Sequence, residues 1–136
     1  MGGLTFDRNQ YNAPDYATDD PRLFDLGAWL TSDIQNYAPD CLDLLSCVED
    51  MWSGRSTAEE WEGNAYLAQF SPTGVLAENL HVPGRMTTYP LDEAHQTMLR
   101  YLDFIAPTPE AKARAVDVWE KENERPHPCR AHLALN

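Results

Sequence analysis

The sequence predicts one α+β domain over residues 1–136, a small antiparallel sheet packed against about four helices. Three observations carry that reading. Apolar residues recur at helical spacing before residue 53 and again after residue 90. Between those stretches lie short apolar-rich segments cut by the turn clusters Ser71-Pro72-Thr73-Gly74 and Pro83-Gly84. The chain is 43% apolar with four Trp, six Tyr and four Phe. A chain of this length buries roughly two-thirds of its unfolded surface in one core.

Taken in order, Leu4-Thr5-Phe6 reads as a short strand, followed by a polar turn segment from Tyr11 to Tyr16. A helix over 21–35 follows, with Asp20 as N-cap and Pro21 at the first helical position. Leu23, Leu26, Leu30 and Ile34 form its apolar stripe, and Asp25 and Asp33, lying off that stripe, are expected to face water. A second helix spans 41–52, capped by Asp40 and stopped by Gly54. Asn64–Phe70 and Val75–His81 predict a β-hairpin over 64–81, and Met86–Tyr89 a further strand near 86–89. Pro90, Asp92 and Glu93 open a helix over 91–105, whose first turn suits anions. Thr108-Pro109 opens a last helix over 109–124, and Pro126 and Pro128 close it. The tail over 125–136 is expected to be loosely held.

Charge is the most informative compositional feature. The formal total is −12, and residues 1–62 hold thirteen Asp and Glu against three Arg, whereas residues 63–136 hold nine acids against seven bases. Self-repulsion makes such a field costly to a fold, while a surface of one sign speeds capture of a basic partner. Direct nucleic-acid binding is disfavoured, because the first 62 residues contain no Lys to neutralise phosphate. No apolar run approaches the ~20 residues that span a bilayer. The N-terminus lacks the pattern of a secretory signal, and Gly2 has no polybasic second anchor nearby. The odd count of three cysteines (Cys41, Cys47, Cys129) favours reduced thiols and a cytoplasmic location.

Catalytic signatures are missing from the chain. It holds no G-x-G-x-x-G, no G-x-x-x-x-G-K-[ST], no G-x-S-x-G and no S-x-x-K. Cys41 and Cys47 are too far apart for a C-x-x-C metal site and read as apolar fillers. His127, Cys129 and His132 place metal-ligand types within six residues but lack a fourth donor. His95 sits four residues from Leu91 and from Leu99 and reads as a packing residue. No catalytic residue, metal or cofactor is therefore assigned. The candidate partner surface is instead Tyr16, Asp19, Asp20, Asp25, Asp33, Asp43, Asp50, Glu59 and Glu60, acids with an aromatic anchor among them.

From Asp40 to Ile105 the order of segments carries a resemblance. Leu44-Leu45-Ser46-Cys47-Val48-Glu49 leads through Gly54 to Trp61-Glu62-Gly63-Asn64-Ala65-Tyr66. The hairpin, Tyr89-Pro90-Leu91-Asp92-Glu93 and Tyr101-Leu102-Asp103-Phe104-Ile105 follow. This run resembles small cytoplasmic immunity proteins of bacterial contact-dependent growth inhibition and related polymorphic toxin systems. The resemblance implies a non-enzymatic inhibitor that neutralises a cognate basic toxin, typically a nuclease domain, by blocking its active site or substrate groove. It carries over no catalytic residue. Gly63 is expected to permit a bulge or a close backbone approach, with Trp61 packed nearby. The alternatives are a nucleic-acid mimic that inhibits a DNA-binding protein, and a small metal-dependent enzyme. No membrane partner is expected.

Overall fold

The computed structural model describes residues 3–133 and 135. Strands β1 (Thr5–Arg8) and β2 (Pro14–Ala17) form an antiparallel hairpin. Its turn closes on Asn9, whose Oδ1 accepts from the N–H groups of Tyr11 and Ala13 at 2.8 and 3.1 Å. Strand β2 carries no sequence signal of its own, since Pro14 and Asp15 both disfavour strands. It forms because β1 offers a partner and Tyr16 a ring to bury.

The helix after Asp20 starts as expected: Asp20 Oδ1 accepts from the Arg22 N–H at 3.0 Å. It is not uniform. A 3-10 turn (Pro21–Leu23) leads into α1 (Phe24–Trp29), which widens into a π turn (Leu30–Ile34). There the Thr31 hydroxyl donates back to the Gly27 carbonyl at 2.8 Å, and the Gln35 N–H reaches the Leu30 carbonyl at 3.2 Å. The chain then turns sharply at Gln35, with φ +55°. Leu23, Leu26, Leu30 and Ile34 are all buried.

Helix α2 (Ala38–Ser53) begins three residues earlier than expected. Tyr37 is its N-cap and Asp40 lies inside the first turn, where the dipole favours its charge. Pro39 is tolerated at the second helical position because its missing N–H has no helical acceptor there. Gly54 ends α2 in the left-handed conformation, φ +76°, as expected.

The second sheet is a meander, β3 (Glu59–Glu62), β4 (Tyr66–Ser71), β5 (Gly74–Asn79) and β6 (Met86–Tyr89), all antiparallel neighbours. The hairpin and the fourth strand match the expectation; β3 was not anticipated. Three Glu in four residues hide a strand that one face of β4 recruits through Trp61↔Ala68. Period-two alternation turns Trp61, Tyr66, Ala68, Phe70, Val75, Ala77 and Tyr89 towards the helices. Trp29 meets Trp61 and Phe70 there, both at 6.4 Å between ring centroids. Tyr89 is fully satisfied: its hydroxyl donates to the Arg22 carbonyl at 2.8 Å and accepts from the Leu26 N–H at 2.9 Å.

Helices α3 (Leu91–Ile105) and α4 (Pro109–Asn123) close the fold within a residue of the expected bounds. The small hairpin seats on α3, with Phe6 edge-on to Tyr101 at 4.8 Å and Arg100 donating to the Leu4 carbonyl at 2.6 Å. Where the prolines suggest a loosely held tail, His127 and Cys129 are buried at 2% and 1% exposure. His127 Nδ1 accepts from the Cys129 N–H at 2.9 Å. The ring proton therefore sits on Nε2, which donates to the Leu42 carbonyl at 2.7 Å. No helix among the described residues is long and apolar enough to cross a membrane.

Candidate functional site

The nine residues singled out from the sequence do not form one surface. Asp25, expected in water, is buried at 5% exposure and accepts from the Tyr66 hydroxyl and Arg85 Nε, both at 2.7 Å, and from the Thr87 hydroxyl at 2.9 Å. Asp33, also expected in water, accepts from the backbone N–H groups of Ala65 and Tyr66, both at 2.9 Å. These two assignments are corrected. Lying off α1's own apolar stripe does not mean facing solvent when a strand of another element passes on that side.

Asp43 accepts from Trp119 Nε1 at 3.1 Å. Asp50 is buried and paired with Arg55 at 3.2 Å and Arg125 at 3.5 Å. Asp20 is spent as a cap, and the Tyr16 ring packs over Gly27, where an added Cβ would lie 2.6 Å from its Cγ. Of the nine, Asp19 and Glu60 remain exposed. Reversing Asp25 or Asp33 to Lys would disable the fold rather than report on a partner.

The sequence asymmetry of charge is thus absorbed internally. Five acids in residues 1–62 are exposed (Asp7, Asp15, Asp19, Glu60, Glu62), against six in residues 63–136 (Asp92, Asp103, Glu110, Asp117, Glu122, Glu124). What distinguishes one surface from another is the sheet. Its helix-free side carries two cross-strand rows, Glu62–Leu67–Glu78–Met86 and Glu60–Gln69–Leu76–Thr88. Three carboxylates and no base occupy those eight positions. With strands about 4.8 Å apart and same-face neighbours about 7 Å apart along a strand, Glu62 and Glu78 flank Leu67 and all three carboxylates lie within roughly 12 Å of one another. Leu67 and Leu76 are half-buried, Met86 is 48% exposed, and the adjoining loop adds Leu80 and Val82 at 43% and 47%. An apolar centre with an anionic border is the composition of a protein-binding face. Sequence reasoning reached Glu60 but missed Glu62, Glu78, Leu67, Leu76 and Met86. The signal was available in the period-two alternation of β4 and β5, once β3 was known to pair with β4.

Glu59 points the other way, towards the helices. Its Oε2 is buried without a hydrogen-bond partner, beside Asp50 and the Cys47 thiol. Burial, then the neighbouring Asp50 carboxylate, push its pKa from 4.5 up to about 7, against the Cys47 thiol and Arg55. A carboxyl whose folded pKa is raised lends stability below its unfolded value, and that contribution is lost as pH rises through the folded one. The Glu59→Gln variant is therefore expected to gain stability relative to wild type as pH rises from about 4.5 to above 7. Urea titrations across that window check this; a constant difference would contradict it.

Comparison with known protein families, with curated proteins and with solved structures finds no match for this chain.

Proposed function

We propose that this chain is a non-enzymatic inhibitor of immunity type, which neutralises a basic protein toxin, a nuclease domain, by covering its substrate groove. The observation that carries this is the helix-free side of the β3–β6 sheet, with Glu60, Glu62 and Glu78 around Leu67, Leu76 and Met86. A nuclease groove is basic because it binds phosphate. The carboxylates steer the encounter, and the apolar centre slows release once water is expelled. The segment order from Asp40 to Ile105 and the net charge of −12 point the same way. Free Cys41, Cys47 and Cys129, all buried, suit a reducing cytoplasm.

The test is rapid-mixing kinetics against a basic nuclease domain of a polymorphic toxin, which the wild-type chain is first assayed for inhibiting. The triple variant Glu60→Lys/Glu62→Lys/Glu78→Lys should lower the association rate about tenfold or more and flatten its salt dependence. Its three positions face solvent or lie half-buried on one sheet face, so circular dichroism should be unchanged. An unchanged association rate and salt slope would remove this face from the interface. Failure of the wild-type chain to bind or inhibit the domain would remove the immunity reading itself.

A further inference from the structure

Three side chains from separate segments converge on one point beside the packed tail. Glu49 lies in the penultimate turn of α2, His95 in the second turn of α3, and Cys129 just before the closing 3-10 turn Arg130–His132. Their ligand atoms all lie within 4.8 Å of one another. His95 Nε2 stands 3.6 Å from Cys129 Sγ and 3.4 Å from Glu49 Oε2.

Hydrogen bonding alone is a poor account of that arrangement. Nε2 carries at most one proton, yet two groups address it, and the 3.4 Å contact exceeds the ordinary 2.7–3.2 Å range for nitrogen to oxygen. A cysteine–histidine catalytic pair is no better. It needs the carboxylate on the other ring nitrogen and a thiol open to substrate, whereas Cys129 is 1% exposed and Glu49 sits on the same nitrogen. Two of the three spacings, nitrogen to sulfur and nitrogen to oxygen, fit the edges of a coordination tetrahedron, and the sulfur-to-oxygen spacing lies within 4.8 Å. Zinc held at about 2.3 Å from sulfur, about 2.05 Å from nitrogen and about 2.1 Å from oxygen separates N from S by about 3.6 Å and N from O by about 3.4 Å.

We propose that Glu49, His95 and Cys129 bind one zinc ion, which staples the segment after α4 to helices α2 and α3. Thiolate, imidazole and carboxylate form a donor set that zinc accepts and that calcium and magnesium do not favour. On binding, the Cys129 thiol proton leaves to solvent and Sγ coordinates as thiolate; His95 coordinates through its neutral Nε2, leaving the proton on Nδ1. His127 takes no part, since both its ring nitrogens are spent on Leu42 and Cys129 backbone groups. The Trp52 ring, 4.7 Å from that of His95, covers one flank.

The full chain, stripped with chelator and titrated with cobalt(II), should give a 1:1 endpoint, a thiolate-to-cobalt charge-transfer band and the intense visible bands of tetrahedral cobalt. Zinc should displace it. In competition with a chromophoric chelator, His95→Ala and Cys129→Ser should weaken zinc binding at least about 100-fold, more than the loss of an outer-shell partner. Glu49→Gln, at a half-buried site and close in shape, should weaken it about tenfold or more, and Cys47→Ser should leave it unchanged. Absence of the charge-transfer band in the wild-type chain would overturn the site, as would a band that survives Cys129→Ser. If His95→Ala or Cys129→Ser fails to fold, the wild-type band with the Glu49→Gln affinity decides.

Discussion

The Asp25→Ala variant is expected to lose about 3 kcal/mol of folding stability, from a midpoint shift in urea at unchanged slope. Asp25 holds three donors at once, from β4, the β5–β6 loop and β6: the Tyr66 hydroxyl, Arg85 Nε and the Thr87 hydroxyl. Removing one member of a buried ion pair costs about 3–5 kcal/mol in general. Here the Arg85 side chain is 41% exposed, so solvent screens its share and the lower end applies. The larger loss falls on Tyr66, 1% exposed, whose hydroxyl is left without its acceptor, a cost of about 1–3 kcal/mol. Asp25→Asn keeps the shape and one acceptor oxygen and should cost about half as much. A loss under about 1 kcal/mol in Asp25→Ala would mean that apolar packing and the Tyr89 hydroxyl suffice to hold α1 to the sheet.

The second large effect is expected at Gly63. Its backbone runs against the Asp33 side chain: a Cβ there would collide with the Asp33 carboxylate and sit 2.7 Å from the Asp33 Cβ. The carboxylate cannot simply swing aside, because it accepts from the Ala65 and Tyr66 N–H groups that start β4. Gly63→Ala should therefore cost about 2–3 kcal/mol, the range of overpacked sites. Asp33→Ala should cost about 2 kcal/mol through two orphaned backbone donors. The decisive measurement is the double-mutant cycle. With the Asp33 carboxylate gone, Gly63→Ala should cost under about 1 kcal/mol, a strongly non-additive result. Additive losses would place the strain elsewhere.

Much of this architecture is legible in the residues. Helices α3 and α4 carry their starts openly, in Pro90 with Asp92 and Glu93 and in Thr108 with Pro109, because local rules set those ends. The β4–β5 hairpin is legible for the same reason, through the turn Ser71 to Gly74. The close approach expected at Gly63 is met by Asp33, although the partner was hidden. What sequence could not disclose was long-range. Strands β2 and β3 depend on neighbours that override weak propensity. The roles of Asp25, Asp33 and Asp43 depend on donors 32 or more residues away, at Ala65, Tyr66, Arg85 and Trp119. A one-dimensional charge count treats such acids as surface, and so it set Asp25, Asp33 and Asp50 there, which the fold buries or ties to backbone and side-chain donors.

Those distant bonds have a consequence for synthesis on the ribosome. Leu4 waits for Arg100, Gln35 for Tyr101 and Asp25 for Arg85. The leading third of the polypeptide thus emerges, hydrated and anionic, well before its docking sites are translated. Its carboxylates repel one another during that interval, and the amino-terminal hairpin has no seat until α3 clears the exit tunnel.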